Sequence, residues 1–322
     1  MSYLKIKKNG IASTIQDNGR FYYRELGIPV SGAFDKLSAQ IANILLKNKV
    51  NTPLIEFFFS GPIIEFDVDV FVSVTGANIN VYIDDNLYSS GGVYLIKSGS
   101  KLNLSKFKNG SVGYLAVRGT FNIELIYGSS STYIPCKLGG LSGRYLKSGD
   151  LLSITPKKYS IKKNALNKKI FDTEYFLKLN MNLIPFVKGL DWYKFDKKTT
   201  NMFLSQVMEI DKESNRMGLR LKTINMYHKV ERKYSIGVDE GIIQLPKNGL
   251  PIILMADGQI TGGYPIIGFV PKYGLSILSQ INIGQKFKFE LVSLEKAKRN
   301  NKKMLQGISK FKKNYNFNYA HS

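Results

Sequence analysis

The sequence holds a single cysteine, Cys136, and two histidines, His228 and His321, in 322 residues. One thiol excludes an intrachain disulfide and fits a reducing compartment. Cys136 follows Ile134 and Pro135, an apolar setting that favours a small buried side chain over a nucleophile. No group of His, Cys and carboxylates has metal-ligand spacing, so no metal site is expected. Proline (10) is scarce beside glycine (29), so the turns are largely glycine-made. No apolar run nears the roughly 18 residues needed to span a bilayer, and the N-terminus lacks an apolar signal segment. A cytoplasmic protein without a membrane partner is therefore expected.

Acidic residues are also few: 24 Asp and Glu against 46 Lys and Arg give a net charge of +22. The excess is almost all lysine, spread along the chain beside many Asn and Ile. It reads as a compositional preference that leaves a solvated basic surface. Binding to nucleic acid would ask for a concentrated stripe with interleaved aromatics, and no such stripe stands out before residue 298, so nucleic acid is not the expected partner. Arginine occurs only at 20, 24, 118, 144, 216, 220, 232 and 299. Arg suits fixed, bidentate recognition of carboxylate or phosphate, so these few positions carry more information than the lysines.

What is present is a β-rich pattern with 43% hydrophobic residues. Tyr3–Lys7 alternates as a strand does. Asp35 is placed to cap a helix over 36–47, with Leu37, Ile41, Ile44 and Leu45 on one face. From Pro53 to about Leu125 short strands are expected at 54–59, 63–66, 70–74, 79–83, 93–96, 101–104 and 114–117. Thr75–Asn78, Asp84–Asn86, Gly91–Gly92 and Asn109–Gly110 punctuate them as turns, suggesting a closed or sandwiched antiparallel sheet. Gly128–Thr132 (GSSST) reads as a small polar loop, either a flexible surface loop or a cradle for an anion. Further strands are expected at 151–155, 183–187 and 286–291, and a helix at 198–204. Gly241–Pro246 and Gly249–Met255 form a hairpin turned by Pro246–Gly249. A basic helix follows, with Leu294, Ala297, Leu305, Ile308 and Phe311 on its apolar face and its lysines outward.

Three polar segments stand out: Gln16–Arg20, Ser214–Arg220 and Asp257–Tyr264. The last follows a buried apolar strand and carries an acid, an amide, a hydroxyl, a Gly pair and a tyrosine. Adjacent glycines let backbone N–H groups approach a ligand. The chain is expected to fold so that the three segments meet. No phosphate-binding P-loop, dinucleotide fingerprint or serine-nucleophile elbow occurs. Any chemistry must therefore use Asp, Asn, Gln, Thr, Tyr, Arg and backbone N–H. That set suits carboxylate binding, polarisation of a carbonyl or amide, and charge stabilisation in acyl, carboxyl or phosphoryl transfer.

Several motifs occur in a specific order over residues 3–295: Thr14–Arg20 (TIQDNGR), Gly27–Asp35 (GIPVSGAFD), Ala42-Asn43, Thr75–Ala77, Leu115–Gly119, Gly128–Thr132, Gly139–Arg144 (GGLSGR), Ser214–Leu221 (SNRMGLRL) and Asp257–Pro265 (DGQITGGYP). In these the chain resembles the biotin-dependent carboxyltransferase family, also known as allophanate hydrolase subunit 2 or KipA-like. The resemblance implies a mainly β fold with a few helices, in two subdomains built on cyclophilin-like β-barrels. The division is expected at 1–165, 166–295, and a basic helix and tail at 296–322, with the first boundary in the Lys/Asn-rich stretch 157–170. It implies one component of an ATP-dependent 5-oxoprolinase that opens 5-oxoproline to glutamate, partnered by an A subunit together with a KipI-like B subunit. ATP would be shared with a partner. The alternatives are a carboxyltransferase supplied with biotin in trans and a non-catalytic regulator that antagonises a kinase inhibitor.

Under the enzyme reading Asp257, Arg216, Thr261 and Asn215 are assigned to catalysis. Gln16, Asp17, Arg20, Arg220, Gln259, Gly262, Gly263 and Tyr264 are assigned to substrate. The chain departs from the family pattern at Ile260, at Gly189-Leu190-Asp191, and at Asp239-Glu240.

Overall fold

The computed structural model of the chain describes residues 2–162, 165–172, 176 and 182–319. His321 and residues 163–164 of the Lys/Asn-rich stretch lie outside them. The chain divides into two compact units. One comprises Met1–Phe21, Ser31–Phe176 and Gly307–Ser322, the other Tyr22–Val30 and Leu177–Gln306.

The first unit is a curled, half-barrel sheet of ten strands. They are β1 (Ser2–Lys8), β2 (Ala12–Gln16), β3 (Leu54–Phe58), β4 (Ile63–Phe66), β5 (Val70–Ile83), β6 (Asn86–Ser89), β7 (Gly92–Ile96), β8 (Lys101–Val117), β9 (Gly119–Phe121) and β10 (Leu151–Pro156). The main path runs β2-β3-β8-β4-β1-β10-β9, and β5 pairs with β6, β7 and β8. Two-residue alternation decides which face is buried. On β1, Leu4 and Ile6 point inward while Lys5 and Lys7 stay out. The core gathers Leu4, Ile6, Ile15, Phe57, Ile64, Val72, Val74, Leu102, Leu115 and Ile154, among others. Each such side chain contributes about 1.5–3 kcal/mol when fully buried.

Helix α1 (Lys36–Leu45) starts where Asp35 accepts from Ser38 N at 3.2 Å. It lies against β5, whose Ser73 and Thr75 hydroxyls donate to Ala42 O at 2.7 Å and Ser38 O at 2.8 Å. These bonds explain why Ser73 and Thr75 are buried in the first, mostly apolar half of the strand.

Two sequence expectations are corrected in this unit. The strands expected at 70–74 and 79–83 are one strand, β5, and those at 101–104 and 114–117 are one strand, β8. Thr75–Asn78 and Asn109–Gly110 are therefore not turns. They lie where the β5–β8 pairing slips register, between Gly76 and Asn78 and on to Ile79. Gly76 has φ +91°, and a Cβ there would come within 2.4 Å of Val112 O. A bulge needs the same glycine and polar residues as a turn, which is why the two read alike.

The second unit is a closed barrel of seven strands. Its strands are β11 (Leu183–Lys188), β12 (Met208–Ile210), β13 (Gly218–Lys222), β15 (Ile242–Gln244), β16 (Ile252–Leu254), β18 (Ile266–Phe269) and β19 (Lys286–Leu291); β14 (Ile236–Gly237) and β17 (Thr261–Gly262) form a separate two-stranded ladder. The parallel pair β11–β19 closes the ring. Alternation again sets the faces: Phe287 and Phe289 point in, Lys286 and Lys288 out. Inside, Phe203 of helix α2 (Lys197–Ser205) stacks on Phe289 at 4.8 Å and meets Phe186 edge-on at 5.1 Å. The hairpin expected at 241–255 is present as β15 and β16. Helix α3 spans Lys272–Leu278, and α4 spans Leu294–Asn318.

On α4 the apolar face is that expected only in part: Ala297 is buried, but Leu294 and Leu305 are exposed, and Tyr315 is buried in addition. In the first unit Phe311 meets Phe171 edge-on at 5.5 Å, and Tyr315 donates to Leu45 O at 2.7 Å. Cys136 is also exposed rather than buried. It ends a short turn, Ile134–Cys136, that contributes no residue to the core. No described helix is long and apolar enough to cross a membrane.

Candidate functional site

In the first unit, β2 and the turn after it deliver Gln16, Asp17 and Arg20 to a buried polar cluster. The Asp17 carboxylate accepts from Gly19 N at 2.8 Å, Ser129 Oγ at 2.7 Å, Ser130 N at 2.7 Å and Ser131 Oγ at 2.5 Å. The serine loop is thus not a flexible surface loop: Ser129 to Thr132 are all buried. The anion it cradles is the carboxylate of Asp17. Gln16 Nε2 donates to Thr14 Oγ1 and to Thr132 O, both at 3.1 Å. Arg20 Nη2 donates to Ser131 O. A Cβ on Gly139 (φ +64°) would come within 2.1 Å of that same carbonyl, so a glycine is needed where the chain passes so close.

The other two polar segments meet in the second unit. The Arg216 guanidinium grips Asp257 in a fork, Nε to Oδ2 at 2.8 Å and Nη2 to Oδ1 at 3.0 Å. Their side chains are 10% and 3% exposed. The backbones are joined as well, Asp257 N donating to Arg216 O at 2.9 Å and Met255 N to Met217 O at 3.1 Å. Asn215 forms the turn, its Oδ1 accepting from Met217 N at 2.8 Å. Arg220 lies on β13 with its side chain exposed.

Beyond Asp257 the loop leads to β17. Thr261, Gly263 and Tyr264 are exposed there, as is Gln259 before them, and Gly262 is buried. Ile260 O accepts from Val238 N at 2.9 Å, holding this segment to the strand before Asp239. Asp239, one of the departures, is bonded by Arg24 at 2.9 Å.

Sequence reasoning missed two groups here. Asp191, another departure, is fully buried and takes Arg232 Nε at 2.9 Å, Lys194 Nζ at 3.0 Å and Ile266 N at 2.9 Å. Burial opposes its ionisation, but the Ile266 N–H, Lys194 and Arg232 outweigh that and hold its carboxyl below the usual carboxylate value. The second is Gln244 on β15, 1% exposed, whose Nε2 has no hydrogen-bond partner among the described residues. Its one visible signal was an amide set between Ile243 and Leu245 in an apolar strand. Gln244 Nε2 lies 2.5 Å, and Gln259 Nε2 2.8 Å, from the point a Cβ would occupy on Gly262.

A closed barrel and a curled half-barrel sheet in one chain are the fold of one class of protein. The chain belongs to the carboxyltransferase domain family, subdomain A and B, whose model matches residues 26–291. Among solved structures, the Kluyveromyces lactis urea carboxylase superposes with a TM-score of 0.83 at 22% identity, over 96% of this chain and 29% of that one. Within the family the chain is similar to the C subunit of 5-oxoprolinase. It is 35% identical to that of Escherichia coli over 296 residues, 91% of this chain and 93% of the relative. It is 34% identical to that of Haemophilus influenzae, over 88% and 90%. Urea amidolyase of Saccharomyces cerevisiae is 26% identical, and the chain spans 17% of its length.

Proposed function

We propose that this chain is the C subunit of an ATP-dependent 5-oxoprolinase. It works in the cytoplasm with an A subunit, plus a KipI-like B subunit, to open 5-oxoproline to glutamate. The observation that carries this reading is the 35% identity over nearly the whole of both chains. The carboxyltransferase alternative, with biotin supplied in trans, draws on relatives of which the chain spans only 17%.

In this reading Arg216 and Asp257 act on each other. Each neutralises the other, and the fork fixes the loop that presents Gln259, Thr261, Gly262, Gly263 and Tyr264 to substrate. Arg220, with its exposed side chain, remains the assignment for a substrate carboxylate. Gln16, Asp17 and Arg20 hold the serine loop in shape. That loop does not fit a nucleotide phosphate. Its N–H groups are already engaged, Ser130 by Asp17, Ser131 by Ser129 Oγ and Thr132 by Ile15 O. ATP is therefore assigned to a partner chain.

The test is co-expression of this chain, tagged, with candidate A and B subunits from the same genome. The reading expects the three to copurify and to release glutamate from 5-oxoproline only with ATP. A stable three-part assembly that releases none would refute it.

A further inference from the structure

We propose that Gln244 and Gln259 form a paired-amide site that takes the carbonyl oxygen of an amide substrate. The choice of a lactam as that substrate rests on the 5-oxoprolinase reading; the geometry of the site does not.

Gln244 sits on β15, which is paired on both sides, by β16 and β18, so its backbone is fixed. Its amide nitrogen is buried and has no hydrogen-bond partner among the described residues. A buried donor left unbonded is costly, and a native fold keeps one where something else is to bond it. The nitrogen lies 2.5 Å from the point a Cβ would occupy on Gly262, and Gln259 Nε2, on a residue of the exposed side of the loop, lies 2.8 Å from the same point. Both nitrogens are close enough to that point for one oxygen beside it to accept from both at ordinary length. A side chain at residue 262 would push the two amides apart, so the glycine is what allows them to converge. Gln259, Thr261 and Gly263 on either side of Gly262 are exposed.

The chemistry of the pair selects the ligand. Two neutral N–H donors suit a neutral carbonyl oxygen, whereas a carboxylate is better matched by a guanidinium. The acidic lactam 5-oxoproline has both groups, and the pair is assigned its ring carbonyl. Gln244 is thereby a substrate-binding residue.

The experiment is titration of the full-length chain with 5-oxoproline and with proline, which keeps the ring and carboxylate but has a charged amine in place of the neutral lactam. Wild type is expected to bind 5-oxoproline more tightly than proline. Gln244→Leu, which removes the donor without adding charge, is expected to weaken 5-oxoproline binding at least tenfold and to leave proline binding unchanged. Gln259→Leu, at an exposed side chain that does not threaten folding, is expected to show the same selective loss. The proposal is overturned if wild type binds the two alike or binds neither. It is equally overturned if Gln259→Leu and a folded Gln244→Leu leave 5-oxoproline affinity intact. If the three-part assembly is active while these losses fail to appear, the paired-amide site is wrong and the oxoprolinase reading stands. If the losses appear and the assembly releases no glutamate, the reading fails and the carbonyl site survives.

Discussion

Removing Asp257 takes the paired carboxylate away from the Arg216 guanidinium in a setting where both side chains are nearly buried. Breaking such a pair from one side costs more than the pair contributes, because a charge is left uncompensated. Asp257→Ala is expected to lower the unfolding free energy by about 3 kcal/mol, and Arg216→Met combined with Asp257→Leu to recover part of it. Urea unfolding of the two singles and the double measures this; strictly additive losses would contradict the pairing. Asp17 presents a parallel case in which hydroxyl and N–H donors surround the carboxylate. Asp17→Ala strands Ser129 Oγ, Ser131 Oγ and the N–H groups of Gly19 and Ser130, and should cost at least about 2 kcal/mol. At this scale the sequence marked the right segments but not their partners. Asp17 and the serine loop are more than a hundred positions apart, and nothing local told that one supplies the anion for the other. Gln244 was invisible for a related reason: a single amide in an apolar strand has meaning only once Gln259 and Gly262 are beside it.

The helix and most strand positions were legible because their patterns are local. Asp35 before an i, i+4 apolar face marks α1, and alternation marks β1 and β19. Length was misread where the chain makes bulges. Gly76 takes positive φ inside β5 as it would in a turn, and only the pairing with β8 distinguishes the two. Gly76→Ala should therefore destabilise the first unit rather than merely stiffen a loop. Strain at a positive φ is worth about 1–3 kcal/mol, and the contact with Val112 O adds to it. A thermal melt checks this; an unchanged midpoint would mean that the strand ends at Thr75 after all. The composition of the serine loop fits a surface loop and an anion cradle alike. Burial against β2 decides it, and burial is not written in five residues.

Across the molecule, stability in acid should follow carboxyls that the fold holds below their ordinary value. Hydrogen bonding from Arg144, above all, lowers Asp150, with both guanidinium nitrogens at 2.8 Å. Asp191 is lowered despite its burial. A depressed carboxyl stabilises the fold fully above its unfolded value, near 3.8, and loses that contribution as pH falls through the lower folded value. Unfolding midpoints taken from about pH 6 down to about pH 2 should therefore fall more steeply for wild type than for Asp150→Asn. Parallel curves would contradict the assignment.

The central claim, that the chain is a working part of an oxoprolinase, is tested most directly by omission and return. Purified A and B subunits are given 5-oxoproline and ATP, and glutamate is measured as this chain is added back in steps. The account predicts no release without the chain, a rise with each addition, and a plateau once it is equimolar with its partners. Release from the two partners alone at the same rate would contradict it.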